Sequence, residues 1–129
     1  MRIEAVTNQY IIFDNGNFIT FDHDQDCCEC NYADFSVLNP NVINYDYNFD
    51  ENLKLEFVED AGFKFGNDGH MIFIPCYSEQ NGYYSTDIEI YYLRRTGSWY
   101  SIKEHKQMPI GFILDNGGYL RGHCQERIQ

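Results

Sequence analysis

Residues 10–21 read YIIFDNGNFITF, two runs of large apolar residues around Asn15-Gly16. Asn-Gly readily takes the positive φ angles of a tight turn, so the segment predicts a β-hairpin and commits the chain to antiparallel pairing. On the second arm, Ile19 and Phe21 share one face. Thr20 and Asp22 share the other, and Asp24 and Asp26 follow on it if the strand continues. One face is therefore apolar and the other acidic.

Strand patterns recur downstream. LKLEFVED alternates, GFKFG is a short strand between glycines, and HMIFIPCY is an apolar run whose Pro75 ends regular pairing or marks a bulge. STDIEIYYLRR sends Ile88 and Ile90 inward and Asp87 and Glu89 outward. GSWYSIKEH reads as a weaker strand or a short helix. Asn116-Gly117 predicts a second hairpin, whose resemblance to the first is explained by the few residue pairs that suit such turns. NYADFSVLN spaces Tyr32, Phe35 and Leu38 by three before Asn39-Pro40, which predicts one short helix, and NVINYDYNFDEN reads as loop. Eleven Tyr and ten Phe, with little Ala, favour strands over helices. The expected fold class is α+β, predominantly antiparallel β-sheet with one or two short helices.

The 129 residues suit a single domain, 1–129, large enough to bury a core without a structural metal or disulfides. There is no signal-peptide-like apolar run at the start and no apolar segment of membrane-spanning length, so the chain reads as soluble and cytoplasmic, with no membrane partner. The net charge of −11 lies in one half: residues 1–60 hold 13 acids against Arg2 and Lys54, whereas residues 61–129 hold seven of each sign. Such a half disfavours direct nucleic-acid binding, which needs basic groups at the phosphates, and suits a protein partner with a basic surface, or cations. Solubility alone also accounts for it. Oligomeric state is not legible.

FDHDQDCCEC, residues 21–30, concentrates four acids, His23 and three of the five Cys. Asp22, Asp24 and Asp26 match the start of an EF-hand, but Cys27 stands where its glycine is needed and Ala33 where its bidentate Glu is needed. A looser divalent-cation site stays open. Cys27 and Cys30 have zinc-like spacing, with His23 near, but the second ligand pair would be His123 and Cys124, whose adjacent side chains point apart in a strand. A redox role for Cys27 and Cys30 is opposed by the carboxylates, which raise thiol pKa values. The simplest reading buries Cys27 and Cys28 as small hydrophobes and needs no cofactor. No nucleophile motif, phosphate loop or HExxH is present, and a pairing of His23 with Cys27 or Cys76 would need the fold to assemble it.

YSEQNGYYS, residues 77–85, turns at Gln80-Asn81-Gly82 and surrounds the turn with Tyr77, Tyr83 and Tyr84, rings suited to a partner surface or to packing on the sheet. Together with DHDQDCCE at Asp22 to Glu29, it resembles an uncharacterised family of small bacterial and phage proteins that share an Asp-Cys-Cys-Glu core and a Gln-Asn-Gly-Tyr-Tyr-Ser segment. The resemblance implies that the two segments belong together and that the setting is bacterial or phage. The expected function is a non-enzymatic acidic binding module acting on another macromolecule, with Asp22, Asp24, Asp26, Tyr77, Gln80, Asn81, Tyr83 and Tyr84 as contacts. One version is a phage-type inhibitor of a bacterial nucleic-acid-binding defence protein. The alternative is a metal-binding or thiol-dependent protein centred on His23 to Cys30, carrying zinc or another divalent cation.

Overall fold

A computed structural model describes residues 1–22, 30–80, 85–95, 99–102, 106–109 and 112–128. Two sheets face each other across one apolar layer. The first is antiparallel and runs in the order β1 (Ile3–Val6), β2 (Tyr10–Phe13), β3 (Phe18–Asp22), β8 (Asp87–Arg95), β11 (Phe112–His123). The second holds β5 (Lys54–Val58), β6 (Gly62–Asn67) and β7 (His70–Gln80), with β4 (Cys30–Ala33) and β12 (Gln125–Ile128) both on the far half of β7. A separate ribbon pairs β9 (Trp99–Ile102) with β10 (Lys106–Pro109).

Alternation decides which side chains enter the layer. Ile11, Phe13, Ile19, Ile88, Ile90 and Tyr92 from the first sheet meet Phe63, Phe65, Ile72, Ile74 and Cys76 from the second, all buried. Ile88 and Ile90 thus face inward as their pattern predicts. Ile12, Phe18 and Leu93 form a smaller buried cluster on the opposite face of the first sheet.

β7 organises the second sheet. The Pro75 carbonyl accepts from the Asp34 N–H while the Cys76 N–H donates to the Ala61 carbonyl. That C=O and N–H belong to one peptide group and point to opposite edges, so β4 and β6 lie on opposite sides of β7. β12 continues the β6 side, running parallel to β7 with Gln125 opposite Tyr77. Pro75 sits at this changeover, one residue beyond the β4 ladder that ends at Ala33 opposite Cys76, so its missing N–H interrupts neither ladder's interior.

The fold corrects several expectations. Among the described residues, helix is confined to one short 3-10 turn, Phe35–Val37, capped by the Asp34 side chain, so the protein is mainly β and the α+β expectation holds only loosely. Tyr32 belongs to β4 instead of a helix. In the first hairpin, Gly16 alone takes a positive φ, 93°, and the loop closes between Phe13 and Asn17 instead of around a two-residue Asn-Gly turn. Asn116-Gly117 makes no hairpin: it lies within β11, where the register against β8 slips between Leu114 and Tyr119, as a bulge does. The segment GSWYSIKEH supplies β9.

The stretch between β4 and β5 is held by its own Asn and Asp side chains. The Oδ1 atoms of Asn39, Asn44 and Asp50 each accept the backbone N–H two residues on, which lets a loop satisfy its backbone without a ladder. Phe49 is thereby set into the core, and Tyr47 stacks on His70 with ring centroids 3.6 Å apart.

Candidate functional site

Antiparallel pairing of β4 with β7 sets Cys30, which follows the Asp-Cys-Cys-Glu stretch in the sequence, opposite Glu79 of the Tyr-rich segment, and Tyr32 opposite Tyr77. Side chains alternate on β4: Asn31 and Ala33 are buried, while Cys30 and Tyr32 face outward. Outside, the Tyr32 hydroxyl donates to Glu79 Oε1 at 3.0 Å, and Arg127 approaches the same oxygen at 3.6 Å while lying 3.7 Å over the Tyr77 ring. Burial and then Glu79 raise the Cys30 thiol pKa, which opposes thiolate chemistry there.

Tyr32 is pushed up to about 12 from 10.0 by burial, by its hydrogen bond to Glu79 and by the charge of that carboxylate. Because the folded state holds the proton more tightly than the unfolded chain, this phenol's contribution to stability is complete below pH 10 and is lost as pH rises toward 12. Replacing Tyr32 with Phe should flatten the alkaline fall in stability over that window, measured by urea unfolding at stepped pH. An unchanged pH profile would contradict the assignment.

Inside, fully buried Asn31 joins the two sheets. Its Nδ2 donates to the carbonyls of Ser85 at 3.0 Å and Asp87 at 2.9 Å, at the entry to β8, and its Oδ1 accepts from the buried Ser78 hydroxyl. One amide thus joins β4, the end of β7 and the entry to β8.

On the outer face of the first sheet, Asp22 stands opposite Glu89, and Asp87 lies opposite His123. Like charges directly across a ladder are destabilising. Hydrogen bonds from Tyr91 and then from Arg121, the latter at 2.8 Å, hold the Glu89 carboxyl below its ordinary range. His123 Nδ1 lies 3.2 Å from Thr86 Oγ1.

Of the residues singled out from the sequence, Asp22, Cys30, Tyr77, His123 and Cys124 are placed. Gln80 ends β7. His23, Asp24, Asp26, Cys27, Asn81, Tyr83 and Tyr84 lie outside the described residues. The proposed zinc set is split: Cys30 is exposed on the outer face of β4, His123 is exposed on the first sheet, and Cys124 is buried beside Cys76. The adjacent His123 and Cys124 do point apart. Among the described residues, no three His, Cys, Asp or Glu side chains gather as a metal site requires, and no helix is long and apolar enough to cross a membrane. Sequence reasoning missed Asn31, Glu79, Arg127 and the Cys76 and Cys124 pair. Of these only Glu79 carried a local signal, its place within the Tyr-rich segment.

A family model described as a domain of unknown function, DUF7448, matches residues 1–90. That range includes both motif segments and the acidic half. No curated protein and no solved structure matches the chain.

Proposed function

The chain belongs to the DUF7448 family, a domain of unknown function, and on its own geometry we propose a non-enzymatic acidic binding module that holds a protein with a basic surface. The observation that carries this reading is the pairing of Asp22 with Glu89 on an outward sheet face, with Asp87 on the same face. These carboxylates, with Glu89 kept ionised by Tyr91 and Arg121, make an outward acidic patch that suits a partner with a cationic surface. Asp24 and Asp26 follow Asp22 at once in the sequence and extend its charge. Tyr77 of the Tyr-rich segment, beside Tyr32 on the outer face of the second sheet, adds a separate aromatic contact area. In a bacterial or phage setting, a fitting partner is a nucleic-acid-binding defence protein whose basic groove would accept these carboxylates in place of phosphates.

Replacing Asp22, Asp24 and Asp26 together with Asn tests the reading. Binding to a panel of basic polypeptides should weaken in the variant, and binding by the wild type should weaken as salt shortens the screening length to about 8 Å at physiological strength. The melting temperature should stay level or rise, with chelator affecting neither protein. Equal binding by both proteins, or binding indifferent to salt, would overturn the proposal. A wild type destabilised by chelator beside an indifferent variant would move the function to a metal site at residues 22–30.

A further inference from the structure

Cys76 lies in β7 with no exposed surface, and Cys124, 1% exposed, precedes β12 by one residue. β12 runs parallel to β7 with Gln125 opposite Tyr77, so one step back along both strands sets Cys124 opposite Cys76. Register partners on parallel strands project to the same side, and neighbouring strands about 4.8 Å apart fall within the Cα separations of about 4.4–6.8 Å that a disulfide spans. The two thiols are in contact: a hydrogen bond between them, with burial, raises the Cys76 thiol pKa. Both belong to the main core cluster, and the acidic binding surface uses neither.

We propose that Cys76 and Cys124 are a redox-convertible pair that closes to an intramolecular disulfide on exchange with a small-molecule disulfide such as oxidised glutathione. Both thiols are buried, so exchange follows local opening of the crossover at Cys124, which is held outside the β12 ladder by its N–H to the Thr86 carbonyl. Cys124 loses its proton to solvent and its thiolate attacks one sulfur of glutathione disulfide, expelling a glutathione thiolate. Cys76, wetted by the same opening, gives its proton to solvent, and its thiolate attacks the Cys124 sulfur of the mixed disulfide and releases the second glutathione thiolate, the two released thiolates taking up the two protons. Two protein thiols are oxidised to one disulfide while one glutathione disulfide is reduced to two thiols. The bond would fasten the crossover to β7 and so fix β12, with Arg127 held over Tyr77 and beside Glu79.

The test uses full-length wild type and a variant carrying Cys27→Ser, Cys28→Ser and Cys30→Ser, equilibrated with oxidised glutathione in buffer and in mild urea that allows opening. The expected result in both proteins is loss of about 2 Da with a Cys76 to Cys124 cross-linked peptide, two fewer titratable thiols after denaturation, slower amide exchange in residues 125–128 and a raised melting temperature. A Cys124→Ala variant should show none of these changes. Both thiols still titratable in urea, a stable glutathione adduct at either position, a link from Cys76 or Cys124 to another cysteine, or a melting temperature lowered by the bond would each overturn the proposal.

Discussion

Gly62→Ala should cost more than about 4 kcal/mol and leave little folded protein at room temperature. A Cβ at position 62 would lie 2.1 Å from the Ile74 carbonyl oxygen, 2.8 Å from the Pro75 Cα and 3.0 Å from the Cys76 nitrogen. All three are backbone atoms of β7, so no side chain can rotate away, and relief requires the β6 and β7 ladder to part. That movement would disturb the Ala61 carbonyl, which accepts from both the Cys76 N–H and Gln125 Nε2 and so joins β6, β7 and β12. Gly69→Ala is the matched control. Its φ is +80° but a Cβ there would meet nothing within 4 Å, so only conformational strain of about 1–2 kcal/mol is expected. Urea unfolding of both variants checks the contrast, and comparable losses would refute it.

Asn31→Leu should cost about 3 kcal/mol or more, a fall in melting temperature on the order of 10 °C. Leucine keeps the branching and heavy-atom count of Asn, though its methyls are bulkier, and withdraws the donors to the Ser85 and Asp87 carbonyls and the acceptor for the Ser78 hydroxyl, all where water is excluded. Each buried polar group so deprived loses about 1–3 kcal/mol. The damage should concentrate where β4, β7 and β8 meet, seen as faster amide exchange at residues 76–79 and 87–90 with the β2 and β3 hairpin protected. A loss below about 1 kcal/mol, or uniform loosening, would show that the amide does not join the sheets.

These positions also mark how far the sequence could be read. Period-two alternation identified β3, β5 and β8 because each buries one face, and a one-residue slip would expose every inward side chain. The short helix expected over residues 31–39 contracts to Phe35–Val37 because residues 30–33 are claimed by a strand more than forty residues away, a pairing that local spacing does not encode. Asn116-Gly117 misled for a related reason: a turn-forming pair inside a strand can be absorbed as a register slip when both flanks find the same neighbour, here β8. Asn31 looked like one polar residue among many, since a buried amide that joins sheets has no mark in the sequence. Glu79 and Arg127 meet over Tyr77 only through the parallel pairing of β12, which ties the far end of the chain to its middle.

That parallel pairing has a consequence during synthesis on the ribosome. When the nascent chain has emerged through β8, the outer edge of β8 still waits for β11, and the far half of β7 waits for β12. The region matched by the family description is by then already made, yet both sheets present raw edges of the kind that recruit stray strands. The β7 edge is covered only once Gln125–Ile128 has left the tunnel, so β12 acts as the latch, and a chain cut before Gln125 should aggregate or engage chaperones more than one that retains it.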